Sequence, residues 1–598
     1  MMKRLIKTIA LAVITLVSFQ CSHRSDIGVY ITADGEQKEW LGRGLVALVR
    51  ADTSVYLGWR LLEDDPEDVA FNLYRKMIGA VLSNDYVKVN AEPITNSTNY
   101  VDKGSDYHWL EGTTVKVHEA HMYKLTRIVN GKEEDVRGGE TYVFLSLGDK
   151  NYRSILLNDI HSSVGKIGIG DLDGDGEYDF VVLLNPLQYV DPGTCETCWN
   201  RSRDTYKLEA YNSKGKFLWR YDLGWSIETG LWLAPFVVYD LDGDGKAEVY
   251  IKGGEGDPRE LDGRVLRGPE YLIKLDGETG KVLAKRPWIP RIVDPERSYC
   301  HTSRNFLSIA YLDGKKPSLL MQRGNYGIIK IEAMDKNLKT EWFFENTDEN
   351  APHWAGGGHT TLIADIDEDG KDEIIPGTFA IDHDGTFMWS LGLGHSDGAV
   401  VADIDPERPG LEIFFNIEPS VPRNGVCMVD ALTGEYIMEY DYPTNHVHGG
   451  ATVGDWDPKH PGMECYAGPD RGDNRPFLYS AKGERLSDSF FLNATPLYWD
   501  DDEYKELLDY KGNVYKYGGD TLQRNIPNGY IVDLFGDWRE EVIVCMKGEI
   551  RIYSSTLPAN NKRVCLMQDR QYRMGVAVFS MGYPNEPQLS LQKNSKRR

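Results

Sequence analysis

A chain of 598 residues is too long for one compact core of ordinary size, so it holds several domains, or one large repeat architecture with something smaller beside it. Its formal charge of -25 argues against a nucleic-acid partner, whose phosphates need Lys and Arg. It also repels an anionic substrate unless cations are bound where the acids cluster.

The chain opens on "MMKRLIKTIALAVITLVSFQCSHRS". Lys3, Arg4 and Lys7 precede an apolar run from Thr8 to Phe19, the pattern of an export signal over residues 1–20. The run is too short to span a bilayer. Cys21 stands where a bacterial lipoprotein is cleaved and lipidated, although Gln20 is not the usual small residue before it. The expected location is outside the cytoplasm, in the periplasm or on the outer membrane of a bacterium. The only membrane contact expected is this lipid anchor.

Residues 27–147 read as short alternating strands separated by turns, as in "LVALVRADTSVYLGWRLLEDDPEDVAFNLYRK". That pattern predicts a small β-sandwich domain of fibronectin III-like type.

From residue 148 to 598 a repeat takes over. "DLDGDGEYD" at Asp171 returns as "DLDGDGKAE" at Asp240 and "DIDEDGKDE" at Asp365. Weaker copies start at Asp403, Asp455 and Asp533, and degraded ones at Tyr311 and Asp500. Eight copies with a mean step of about 52 residues suit four-stranded propeller blades. Between them lie hairpin patterns such as "KLEAYNSKGKFLWRYDL". The fold class predicted is all-β: an eight-bladed β-propeller behind the N-terminal sandwich. The "GTCETCWN" segment holds Cys195 and Cys198 in a Pro/Gly-rich loop; without a second pair it reads as a local disulfide or spectator thiols.

The acidic repeats place oxygens at positions one, three, five and nine, with glycines that permit a tight turn. Hard oxygen ligands on one short loop suit Ca²⁺. The predicted structural calcium ligands are Asp171, Asp173, Asp175 and Asp179; Asp240, Asp242, Asp244 and Glu248; and Asp365, Asp367, Asp369 and Glu373. Asp403, Asp405 and Glu412, then Asp455, Asp457 and Glu464, and finally Asp533, Asp537 and Glu541 complete the set. A ring of equivalent sites suits a structural role, since catalysis needs one asymmetric site.

Histidines supply the asymmetry. His359 precedes the fourth acidic repeat, His395 and Asp397 the fifth, and His446 and His448 the sixth; Glu418 follows in "FFNIEPS". Equivalent positions of neighbouring blades converge on one face of a propeller, so two His and two carboxylates there make a first shell for a divalent ion. The competing reading is that each His only bonds a loop carbonyl.

With these residues in place, the sequence resembles polysaccharide lyase family 11, the rhamnogalacturonan lyases. The resemblance runs through "WRLL…FNLYR", "GPEYL", "IAYLDG", "GLGHSDG", "DPERPGLE", "LFGDWREEVI", "RIYSSTLP" and "LMQDRQYRM". It implies an eight-bladed propeller with several structural calcium ions that cleaves the rhamnose–galacturonate backbone of pectin by β-elimination. On this resemblance His359, His395, Asp397 and Glu418 match active-site metal ligands, and Tyr583 matches a substrate-contacting aromatic. There are departures. His448 stands where a characterised relative has Arg, and Asn525 beside Arg524 where it has Lys.

Elimination next to a uronic carboxylate needs a cation, a base for the C5 proton and an acid for the leaving oxygen. The expected base is His448, with Arg524 gripping a carboxylate; Arg323, Tyr326, His446 and Asn525 are expected sugar contacts. The expected partner is an acidic polysaccharide, met by a monomer. Two alternatives stay open: a lyase on another rhamnose–uronate polymer of ulvan or gum type, and a non-catalytic calcium propeller that binds glycan.

Overall fold

The computed structural model describes residues 23–24, 29–32, 35–52, 54–78, 85–103, 120–145, 150–192, 198–347, 356–419, 421–440, 450–467, 477–487, 492, 494–583 and 585–591. The protein is all-β apart from two short α-helices and brief 3-10 turns among these residues. No described helix is long and apolar enough to cross a membrane.

The N-terminal part is a β domain. Val46–Val49, Val55–Gly58 and Asn99–Asp102 form one sheet, and Ala70–Ile78, Val87–Lys88, Ala120–Val129 and Lys132–Phe144 another. Strand alternation sends Leu57, Trp59, Phe71, Leu73, Tyr123 and Leu125 from both sheets into one shared core.

Beyond it come eight four-stranded antiparallel units. The first runs through Val164–Gly170, Asp179–Leu184, Lys207–Tyr211 and Phe217–Asp222. The next six begin at Phe236, Asn305, Gly357, Ser396, Ala451 and Ala494. The eighth pairs Tyr530–Val532, Glu541–Met546 and Glu549–Tyr553 with Tyr152–Leu156, so a strand from before the first unit completes the last. First strands of the first seven units touch one another in succession. They are buried over most of their length, polar residues such as Lys166, Ser308 and Asp397 included.

Each acidic repeat joins the first strand of a unit to the second. Local hydrogen bonds explain the motif. The first Asp accepts from glycine amides inside the turn: Gly174 and Gly176 donate to Asp171, and Gly243 and Gly245 to Asp240. The closing acid accepts from the residue after the first Asp: Leu172 donates to Asp179, Ile366 to Glu373, Ile404 to Glu412, Trp456 to Glu464 and Leu534 to Glu541. In the seventh unit Trp499 donates to Glu506, which puts the loop start at Tyr498, two residues before the Asp500 of the sequence repeat.

The N-terminal domain sits at the acidic-loop end of the units. Arg137 donates to the Asp175 carbonyl at 2.9 Å, the Gln37 amide to the Asp240 carbonyl at 3.2 Å, and the Tyr56 hydroxyl to Asp537 at 2.9 Å. Arg573 pairs bidentately with Glu39. It belongs to a helix, Arg570–Ala577, that packs against the first strands of the first four units. Asp569 caps this helix by accepting from the Tyr572 amide.

Candidate active site

The site lies at the opposite end of the first strands from the acidic loops. His359 sits near the start of strand Gly357–Ala364, and Asp365 follows its end, about 20 Å away at 3.3 Å per residue. His395 directly precedes strand Ser396–Ala402, which carries Asp397, and Glu418 follows strand Glu412–Ile417. The fourth and fifth units touch through a parallel bridge between Gly358 and Ser396. That contact brings His359, His395 and Asp397 together, with ligand atoms within 4.8 Å of one another.

His359 Nε2 is 2.8 Å from Asp397 Oδ1 and 3.3 Å from His395 Nε2, and His395 Nε2 is 3.6 Å from Glu418 Oε2. His395 Nδ1 donates to the Gly357 carbonyl at 2.5 Å. Gly357 is favoured here: a Cβ would lie 2.4 Å from Asn325 Oδ1 and 3.0 Å from the Asn325 carbonyl oxygen. Two imidazoles and two carboxylates converging in a buried place are a mixed nitrogen–oxygen donor set that fits a divalent cation. Burial lowers the pKa of His359, and lowers that of His395 well below its ordinary value, which favours the uncharged rings.

Aromatic rings wall the cluster. Trp232 stacks on His359 at 5.0 Å between centroids, and Tyr583 meets His359 edge-on at 4.8 Å. Gly582 lets Trp232 in, since a Cβ there would sit 1.8 Å from its ring. Tyr326 stacks on His395 at 4.0 Å with His301 on its other face at 4.1 Å, and its hydroxyl donates to Glu418 at 2.7 Å. Arg304, only 3% exposed, places its guanidinium over Trp232 and Tyr326 and donates to His359 Nδ1 at 3.3 Å. Arg304, Trp232 and His301 do not stand out in the sequence. A signal exists for Arg304: it directly precedes the third unit's first strand, as His395 precedes the fifth's.

The remaining predicted residues fall elsewhere. Tyr583 is 47% exposed at the edge of the cluster; burial and then the Asp191 charge raise its pKa. Arg323 is 1% exposed and committed to Glu270 at 2.7 Å and Asn305 at 3.2 Å, inside the sheet rather than on a sugar-facing wall. Arg524 and Asn525 are exposed, and Arg524 donates to Asn513 of its own unit at 3.1 Å. His446, His448, Cys21 and Cys195 lie outside the described residues, as does the leader 1–20. Cys198 is described, with its sulfur 3.9 Å from the Asp191 carbonyl.

The acidic loops form further ligand clusters. Asp171, Asp173 and Asp179 gather within 4.8 Å, as do Asp240, Asp242 and Glu248, and Asp365, Asp367 and Glu373. Asp369 joins Glu373 and His383 in an overlapping group. Asp175 and Asp244 turn back to accept the amides two residues on. Asp405 and Asp457 do the same, beside Glu412 and Glu464. Cations lie against several of these loops, among them Lys214 at 3.3 Å from Asp175, Lys371 at 2.9 Å from Asp369 and Arg408 at 3.5 Å from Glu412. The Lys274 amine lies 2.8 Å from Asp242 and 2.9 Å from Glu248. Arg539 pairs with Asp537 at 2.8 Å, in the loop bounded by Asp533 and Glu541. Lys516 bonds Asp500 and Asp502.

Comparison with known proteins places this architecture. Residues 158–592 match "Rhamnogalacturonan lyase family 11, C-terminal domain", and residues 36–140 match "Rhamnogalacturonan I lyases beta-sheet domain". The class is therefore that of a polysaccharide lyase. The chain belongs to rhamnogalacturonan lyase family 11. It is 34% identical to the rhamnogalacturonan endolyase YesW of Bacillus subtilis, over 94% of this chain and 92% of that protein. It is equally 34% identical to the rhamnogalacturonan exolyase YesX of the same organism, over 93% of this chain and 95% of that protein. The structure of Bacillus licheniformis rhamnogalacturonan lyase PL11 superposes with a TM-score of 0.81 at 31% identity, covering 93% of this chain and 97% of that one.

Proposed function

We propose that this protein cleaves rhamnogalacturonan I by β-elimination at the cluster of His359, His395, Asp397 and Glu418. The observation that carries the reading is the convergence of these four non-repeating residues beside Tyr583. In this reading the eight units are propeller blades, the N-terminal sheets form a sandwich, and acidic loops hold Ca²⁺. The chain acts outside the cytoplasm, exported by residues 1–20 and tethered through Cys21.

A divalent cation in the four-residue pocket would supply Lewis-acid stabilisation of the uronate carboxylate, making the C5 proton acidic. The chain's own residues do the rest. Tyr583, half-exposed beside His359, is the proposed proton donor to the leaving oxygen. Trp232 and Tyr326 hold the rings of His359 and His395 in place. His448 remains the proposed base and Arg524 the proposed carboxylate grip. His446 and Asn525 are the proposed sugar contacts; Tyr326, whose two faces are covered by His395 and His301, orients the site instead.

The test is ultraviolet absorbance of the reaction mixture with rhamnogalacturonan I, with and without chelator. Elimination leaves an unsaturated uronate that absorbs; hydrolysis does not. Rising absorbance that stops on chelation and returns with Ca²⁺ supports the proposal. No rise with the folded, Ca²⁺-loaded protein overturns the substrate, and a rise on ulvan or a gum instead would replace it.

A further inference from the structure

The N-terminal sheet of Ala70–Ile78, Val87–Lys88, Ala120–Val129 and Lys132–Phe144 has two unlike faces. One sends Phe71, Leu73, Tyr123 and Leu125 into the domain core. The other meets solvent, and such a face of an antiparallel sheet is ordinarily polar. Here it carries rings. Register sets Tyr142, Met122 and Lys76 side by side on three adjacent strands. The Lys76 amine lies 5.9 Å from the ring centroid of Tyr86, which leads into the edge strand Val87–Lys88. With neighbouring strands about 4.8 Å apart, this row runs about 14 Å across the sheet. Phe144 meets Tyr142 edge-on at 5.7 Å. Tyr142 is 56% exposed and Phe144 45%.

The next row holds Lys124, Tyr74 and Lys88. The acids of this face are already engaged. Asp135 pairs with Lys124 at 2.8 Å, Glu133 accepts from the Tyr74 hydroxyl at 2.6 Å, and Glu140 faces the Tyr86 hydroxyl. Lys76 and Lys88 pair with no carboxylate among the described residues. Exposed rings take the C–H faces of sugars, whose hydrogens meet the negative face of an aromatic. Uncommitted ammonium groups attract carboxylates. The combination suits a chain in which neutral sugars alternate with uronates. It does not suit a protein partner, because stable protein interfaces are depleted in Lys and take about 20–30 residues a side, far more than this strip offers.

We propose that this face of the N-terminal domain is a second polysaccharide-binding site, with Tyr86, Tyr142 and Phe144 against the sugar rings and Lys76 and Lys88 on the uronate carboxylates. The choice of polymer rests on the proposed function. The domain lies at the acidic-loop end of the units and the His359–His395 cluster at the other, so one enzyme molecule grips the polymer in two places. Only a polymer long enough to engage both gains from the second grip.

The experiment uses the full-length, Ca²⁺-loaded protein and rhamnogalacturonan I as the probe. Binding is read by affinity electrophoresis in a His395→Ala background, so that the polymer stays uncut. Tyr142→Ala together with Phe144→Ala is expected to weaken binding roughly ten-fold. Lys76→Ala together with Lys88→Ala is expected to weaken it at low salt and to have little effect at high salt. With His395 intact, both pairs should raise KM for the polymer, and leave kcat and the cleavage of short rhamnogalacturonan fragments unchanged. Thermal melts check folding, and should the aromatic pair not fold, the lysine pair decides alone. Unchanged polymer binding and KM in the folded variants overturn the inference and leave the cleavage reading standing. A wild type that sediments as a dimer and becomes monomeric in the aromatic variant also overturns it, and assigns the face to a second copy of the chain. Binding that the variants weaken, in a protein that leaves the polymer uncut, overturns the substrate reading alone. A wild type that neither binds nor cleaves the polymer overturns both.

Discussion

Tyr326 lies flat on His395, ring centroids 4.0 Å apart and planes 28° apart, while its hydroxyl donates to Glu418 at 2.7 Å. One side chain from the third unit thus orients two residues of the fifth. Tyr326→Phe keeps the stack and removes the hydrogen bond. Partners of this kind are worth about 10- to 100-fold in metal affinity or activity. The expected outcome is a loss of that size in kcat/KM on rhamnogalacturonan I with an almost unchanged melting temperature. Tyr326→Ala, which also removes the stack, should lower both. Full activity of Tyr326→Phe in the absorbance assay would show that Glu418 needs no such partner.

The acidic loops predict an unusual pH response. Burial, reinforced by neighbouring acids, pushes Asp171 and Asp240 up to about 7, and Asp179, Glu373 and Glu464 up to about 8. Ordinary carboxylates titrate near 4. In cation-free protein these groups bind protons more tightly folded than unfolded. Their contribution to stability is present below about pH 4 and is lost as pH rises toward 8. Bound cations compensate the charge and remove the loss. Melts at pH 5 and pH 8 should therefore differ strongly with chelator present and little with Ca²⁺. Equal melting temperatures at both pH values in stripped protein would contradict the cation role.

Lys516 predicts a cation-independent loop. Its amine bonds Asp500 and Asp502 and lies 3.7 Å from Glu506, the positions that form the ligand clusters of the other loops. Lys516→Ala leaves three carboxylates facing one another. The variant should melt lower than wild type in chelator, recover with Ca²⁺, and bind one more Ca²⁺ per chain by calorimetry. An unchanged stoichiometry would mean that the seventh loop cannot accept a metal.

Much of this was legible because the acidic loop is self-contained. Its glycines, its first Asp and its closing acid satisfy each other within nine residues, so the motif reads the same wherever it stands. The register slips by two in the seventh unit, where three consecutive aspartates hide Tyr498 as the loop's start. The helix Arg570–Ala577 is not legible: it is only eight residues long, and six of them, the polar Gln571 and Arg573 included, are buried, so its polar residues do not mark a solvent face. His359, His395, Asp397 and Glu418 are visible as exceptions to the repeat. Arg304 is not, because an arginine before a strand reads as a surface cation until Trp232 and Tyr326 are seen around it. Arg323 errs the other way. "QRGNY" suggests a loop contact, yet the arginine closes a buried strand, and only its partner Glu270, 53 residues away, reveals this.

That Glu270 gives the last prediction. It is buried among Lys252 at 2.8 Å, Arg323 at 2.7 Å and Arg291 at 3.4 Å. Burial alone would raise its pKa, but Lys252 and Arg323 hold it down to about 2. A depressed carboxylate stabilises the fold fully above its unfolded value near 4.5, and the contribution is lost as pH falls through about 2. Glu270→Gln strands two buried cations without a counter-charge, a change that costs about 3–5 kcal/mol when a buried pair is broken. Denaturant unfolding at pH 7 should show a loss on that order, and the gap between wild type and variant should narrow toward pH 2. A gap that stays constant with pH would mean that the loss comes from packing and not from charge.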